Sequence, residues 1–225
     1  MRYIKIVVTL IALSALLFAG CSKKADPDIP ALYVTHILDT LYLGEVSTEL
    51  LSLTGMDDPA LLKDEYEAGL DAEADYFAYY FGIGELSAES GQLIKDLYKD
   101  LYRQARYSIS PSAEEPDRYE ADKIVHVVTV TVEPLDVVWR FAKEELEGFA
   151  KDFKAQASAE LSAEAKELLY VKGIVSRIRT LAEKPGYLEP VDIRVEVTQN
   201  AEDGLFRVRG SGLTEIDECI IQYEL

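Results

Sequence analysis

The segment Lys123 to Glu133 reads KIVHVVTVTVE. An alternation of that length constrains the chain more than any other feature. Ile124, His126, Val128, Val130 and Val132 fall on one face of a strand; Val125, Val127, Thr129 and Thr131 fall on the other. A second segment repeats the pattern more cleanly. Val191, Ile193, Val195 and Val197 alternate with Asp192, Arg194, Glu196 and Thr198, as in a strand with one buried face. Two such strands must pair in a sheet and cover an apolar face.

The cover is expected from helices on both sides in sequence. Val34, Ile37, Leu38, Leu41 and Tyr42 repeat at helical spacing up to Gly44, and a short helix over 46–54 stops at Gly55. Asp57-Asp58-Pro59 caps a longer helix running to Phe81, with Leu62, Tyr66, Leu70, Phe77 and Phe81 near one face and Gly69 as its weak point. Ser87 caps the next, whose stripe is Leu93, Ile94, Leu97, Tyr98 and Leu101. Residues 105–110 read as a strand ended by Pro111, and 111–118 as a polar loop.

After Glu133 the order repeats. Leu135, Val138, Ala142, Leu146, Phe149 and Phe153 mark a helix over 135–156. Ser162 caps another, with Leu168, Val171, Val175 and Ile178 on one side. A turn at Asp203-Gly204 leads to a return strand bearing Phe206 and Val208, and 213–221 reads as a helical turn and a last short strand. Helices and then a hairpin thus occur twice, over 31–133 and 134–225, an order compatible with internal duplication. The expected architecture is α+β: four strands in a mainly antiparallel sheet with helices packed on one face.

The N-terminus carries different information. Arg2 and Lys5 precede an apolar run, Ile6 to Phe18, which ends in Ala19-Gly20-Cys21. That is the layout of an export signal over 1–20. As a helix, Ile6 to Gly20 would span only ~22 Å, short of a hydrocarbon core of roughly 30 Å. Ala19-Gly20-Cys21 also resembles the lipobox of bacterial lipoproteins, although Phe18 and not leucine stands three residues before the cysteine. The resemblance covers residues 1–21. It implies cleavage before Cys21, acyl chains on Cys21, and residence on the outer face of the bacterial cytoplasmic membrane. Two or three such chains hold a protein stably at a bilayer. Residues 21–30, polar and with two prolines, are expected to form the lipidated tether.

With Cys21 acylated, the second of the two cysteines, Cys219, is left without an internal partner. The formal charge of −18 becomes more negative still when Arg2 and Lys5 leave. Such acidity repels phosphates, so no nucleic-acid partner is expected.

Familiar chemistry is hard to find. Of the two histidines, His36 has Asp39 a turn away but no further ligand, and His126 sits among valines. No metal site is expected. Asp71-Ala72-Glu73-Ala74-Asp75 begins like a calcium loop, but the sixth and twelfth positions are Tyr76 and Gly82. Gly82-Ile83-Gly84 follows a helix, the wrong context for a dinucleotide loop. No catalytic residue and no cofactor is therefore assigned. Tyr76 to Phe81 (YFAYYF) is the densest aromatic stretch. Phe77, Tyr80 and Phe81 are expected in the core, with Tyr76 and Tyr79 on its rim as a partner contact. The reading that follows is a membrane-anchored, non-catalytic binding or interaction module whose envelope protein or ligand is unknown. The rival is an extracytoplasmic enzyme that acts on envelope polymer with two carboxylates, one in an apolar setting.

Overall fold

The computed structural model describes residues 26–120, 123–157 and 160–224. The fold is α+β, with helices on one face of an open antiparallel sheet. The central strand β3 (Ile124–Glu133) pairs along its length with β4 (Val191–Gln199). In that register Val128 faces Val195 and Val130 faces Ile193. On the other edge of β3, β1 (Arg106–Ile109) and β2 (Ala113–Pro116) follow one another, each antiparallel to it. β5 (Phe206–Arg209) closes the far edge against β4. The first half thus contributes the inner strand β3 and two outer strands, the second half the inner strand β4 and one outer strand, and the inner strands pair.

The strand β2 corrects the expected polar loop over 111–118. Ala113-Glu114-Glu115-Pro116 has no apolar alternation because it lies on an edge, held by ladder bonds and by Glu115 pairing with Arg194 at 2.8 Å. The sheet accordingly has five strands and not four.

The helices are set by their caps. Asp28 accepts from the Ala31 amide and starts α1 (Ile29–Leu38). It also accepts from the backbone amide and the hydroxyl of Ser112, each at 2.7 Å. The fold therefore begins inside the segment expected as tether. α1 widens into a π-helical turn, Asp39–Leu43, which stops at Gly44 with φ 68°. α2 (Thr48–Thr54), α3 (Pro59–Tyr80) and α4 (Ala88–Tyr102) start at side-chain caps from Ser47, Asp58 and Ser87.

The helix expected over 135–156 is broken into α5 (Val137–Arg140), a second π-helical turn and α6 (Leu146–Gln156). α7 (Ala163–Ala182) starts at Ser162. The last segment corrects another expectation. α8 (Gly212–Ile220) is a full helix, and the strand after it shrinks to one bridge between Ile221 and Leu135.

One apolar core serves both halves. Val128, Val130, Ile193, Val195, Phe149 and Ile178 belong to it, with Phe77, Phe81, Tyr98 and Phe141. Among the described residues, no helix is long and apolar enough to cross a membrane.

The opposite sheet face carries charge. Glu196 accepts from Arg118, Arg194 and Arg209, and Asp117 accepts from Arg209 at 2.5 Å. The hydrogen bond from Arg209 holds the Asp117 carboxyl down at about 2. These charges satisfy one another, and the network reads as a clamp over Val125 and Val127.

Candidate binding cleft

Where the C-terminal end of α8 meets α3, the surface opens into a cleft of about 760 Å³. Helical spacing builds its first wall. Glu65, Gly69, Glu73 and Tyr76 recur three or four residues apart on α3, so they share one stripe. Gly69 leaves room there, since a Cβ added to it would meet no atom within 4 Å. The end of α4 supplies Tyr102, and the first π-helical turn supplies Leu41 and Tyr42. Such turns re-aim side chains that an unbroken α-helix would place elsewhere. Asp217 and Glu218 on α8, with Tyr223 and Glu224 after it, form the second wall.

Two carboxyls and two phenols meet at the centre. The Tyr102 hydroxyl donates to Glu73 at 2.5 Å, and the Tyr42 hydroxyl donates to Asp217 at 3.4 Å. The Tyr42 and Tyr102 rings lie 4.9 Å apart. Burial pushes the Glu73 carboxyl up to about 7, the nearby Asp217 adds to the rise, and the hydrogen bond from Tyr102 opposes it. Asp217 is raised too, because burial outweighs the hydrogen bond from Tyr42, and Glu218 adds a little to the rise. Both phenols are pushed well above their ordinary value, by burial first and then by the acids beside them.

Tyr223 sits deeper. Tyr76 and Tyr80 pack edge-on against its ring at 4.9 and 4.8 Å, and Tyr80 donates to its backbone carbonyl at 3.0 Å. The Tyr223 side chain is only 8% exposed, yet its hydroxyl has no hydrogen-bond partner. A buried phenol without a partner is costly unless something else supplies one.

The charge is one-sided. Five carboxyl side chains line the cleft, from Glu65, Glu73, Asp217, Glu218 and Glu224, and among the described residues no lysine, arginine or histidine lines it. Among the described residues, none of the five makes an ion pair.

The residues singled out from sequence fare differently. Tyr76 lines the cleft at 45% exposure. Tyr79, 81% exposed, stands outside the lining with its ring 6.3 Å from that of Tyr76. Tyr80 is only partly buried, packed against the core, while Phe77 and Phe81 enter it. Cys21 lies outside the described residues. Nothing in the sequence marks Glu73, Asp217, Tyr42, Tyr102 or Tyr223 as a site residue. Glu73 lies in the stretch that fails as a calcium loop, and its signal is the helical stripe it shares with Gly69 and Tyr76.

No family model matches the chain, and no curated protein matches it in sequence. Among solved structures, the fold is similar to that of YcdA from Bacillus subtilis, described as a "putative lipoprotein". The TM-score is 0.59 and the identity 13%; the likeness covers 86% of this chain but only 56% of that one. At that identity the likeness is one of fold.

Proposed function

We propose that this chain is a lipid-anchored protein of the outer face of the bacterial cytoplasmic membrane, and that its cleft is a non-catalytic binding site for a small ligand. The lipobox-like Ala19-Gly20-Cys21 supports the anchor, and the description of the fold neighbour is in keeping with it. The observation that carries the binding reading is the cleft itself: concave, tyrosine-lined, with unpaired carboxylates and an unpartnered buried phenol.

Glu73, raised to about 7 beside Asp217, also brings carboxylate catalysis into view. A hydrolytic pair, however, presents both carboxyls to the bond between them, whereas here each is already held by a phenol, Glu73 by Tyr102 and Asp217 by Tyr42. Capture fits that arrangement better than hydrolysis.

The anchor is tested by fatty-acid analogue labelling of the full chain and of Cys21→Ala. Label on the full chain alone supports acylation at Cys21, and persistent label on the variant overturns it. Capture is tested with the intact lipidated protein in detergent micelles, equilibrated with a small-molecule extract of the producing cells. Gly69→Leu, which fills open space in the cleft, serves as comparison. Selective retention by the unaltered protein supports the reading. Identical retention by both overturns it, and chemical conversion of the retained molecule overturns the non-catalytic part.

A further inference from the structure

We infer that the ligand of this cleft is an oligoamine, two or more alkylammonium groups joined by methylene stems. The inference rests on the cleft being a ligand site, as proposed above, and it concerns what kind of molecule fits.

Charge is the first argument. Five acidic side chains around one concavity, none of them in an ion pair and none faced by a basic side chain among the described residues, leave a negative field that nothing there neutralises. A metal ion is the obvious counterion, but it needs ligands that converge on one point. Among the described residues, no three carboxylate, histidine or cysteine side chains are grouped to hold one. Charges spread around about 760 Å³ suit a ligand whose own charges are spread.

Hydrogen-bonding capacity is the second. The phenols of Tyr42 and Tyr102 already spend their protons on Asp217 and Glu73. What remains in the cleft is chiefly acceptor, carboxylate oxygens and phenol lone pairs, with the unpartnered Tyr223 hydroxyl able to accept or to donate. An ammonium group is all donor and has no lone pair to clash with them. An anion or a sugar, rich in acceptors, would be matched poorly.

The lining between the charges is the third. Rings of Tyr42, Tyr76, Tyr102 and Tyr223 line it together with the acids, those of Tyr102 and Tyr42 directly beside Glu73 and Asp217. Aromatic faces attract ammonium groups and pack against methylenes. Acids and rings side by side are complementary to amines joined by methylene stems.

The experiment is calorimetric titration of the intact lipidated protein in detergent micelles at low salt. The probes are spermidine, 1,8-octanediol as a neutral stem of similar length, magnesium chloride, and trilysine. Spermidine is expected to bind, with octanediol and magnesium silent and trilysine weaker. Glu73→Gln is expected to weaken spermidine by roughly tenfold or more, and Tyr223→Phe by less, with both variants still melting cooperatively. Equal binding to both variants would place spermidine on the general acidic surface and overturn the inference. Tighter binding of trilysine would assign the alkylammonium to a peptide and overturn the free oligoamine. Binding of octanediol in place of spermidine would overturn the cationic ligand while leaving a binding cleft. Silence of every probe, with selective retention from extract still seen, would likewise overturn only the oligoamine; silence with no selective retention would remove both readings.

Discussion

Glu73 should make the folded protein less stable as pH rises through neutrality, and Glu73→Gln should remove that slope. The carboxyl moves from 4.5 in its ordinary state to about 7 in the fold, mainly through burial. A raised carboxyl means that the native state holds its proton more tightly than the unfolded chain does. Between those two values, therefore, unfolding releases a proton and stability falls with increasing pH. The gap corresponds to roughly 3 kcal/mol at about 1.4 kcal/mol per unit. Glutamine keeps the shape and can still accept from the Tyr102 hydroxyl, but it cannot ionise. The two proteins should be about equally stable near pH 5. Near pH 8 the variant should be the more stable, by up to roughly 3 kcal/mol, or a melting difference of roughly 6–12 °C for a chain of this size. Asp217, raised as well, acts in the same direction at lower pH in both proteins and drops out of the difference. The assay is thermal unfolding of both across that pH range. Parallel curves would show that the Glu73 carboxyl is solvated and that the cleft is wetter than its lining implies.

Three further substitutions test the frame around the cleft. Val130→Asp places a charge at a fully buried position on the helix-facing side of β3, and unfolding should show a loss of several kcal/mol. Gly212→Ala should also destabilise, by roughly 1–3 kcal/mol. The added Cβ would sit 2.5 Å from the Arg194 carbonyl oxygen, and backbone cannot swing aside as a side-chain tip can. Asp117→Asn should lower the melting temperature at neutral pH. Because the Asp117 carboxyl is held at about 2, the stability it provides is present above about 3.8 and fades as pH falls through about 2, so the deficit should shrink there.

Much of the fold could be read from sequence because its signals are local. Asp58-Pro59, Ser87 and Ser162 start helices where caps predict them, and the valines of β3 and β4 face each other in one core. The misses were segments whose structure comes from neighbours. β2 is a strand only because β3 offers an edge, and α8 seats against β4 through the close approach at Gly212. The cleft was invisible for a related reason. Tyr42, Glu73, Tyr102, Asp217 and Tyr223 come from four distant stretches, and each alone resembles a core tyrosine or a surface acid. Only the aromatic run led to one lining residue, Tyr76, and it pointed equally to Tyr79, which faces solvent.

The energetics of Glu73 connect the cleft's cost to its use. A carboxyl that weakens the fold at neutral pH does so because burial outweighs the hydrogen bond from Tyr102, and among the described residues no cation stands beside it. An ammonium group in the cleft would provide that compensation, so part of the energy lost on folding returns on binding. Proton and ligand then compete for the same oxygen atoms. At pH 8 Glu73 is mostly ionised before the ligand arrives, whereas at pH 5 binding must first expel a proton held about two units more tightly than the solution favours. Two units amount to about a hundredfold in affinity. Spermidine should accordingly raise the melting temperature strongly near pH 8 and hardly near pH 5, and in Glu73→Gln that contrast should largely vanish. A stabilisation independent of pH would mean that the cation does not reach Glu73, and that the unpaired acids at the rim, Glu65, Glu218 and Glu224, hold it instead.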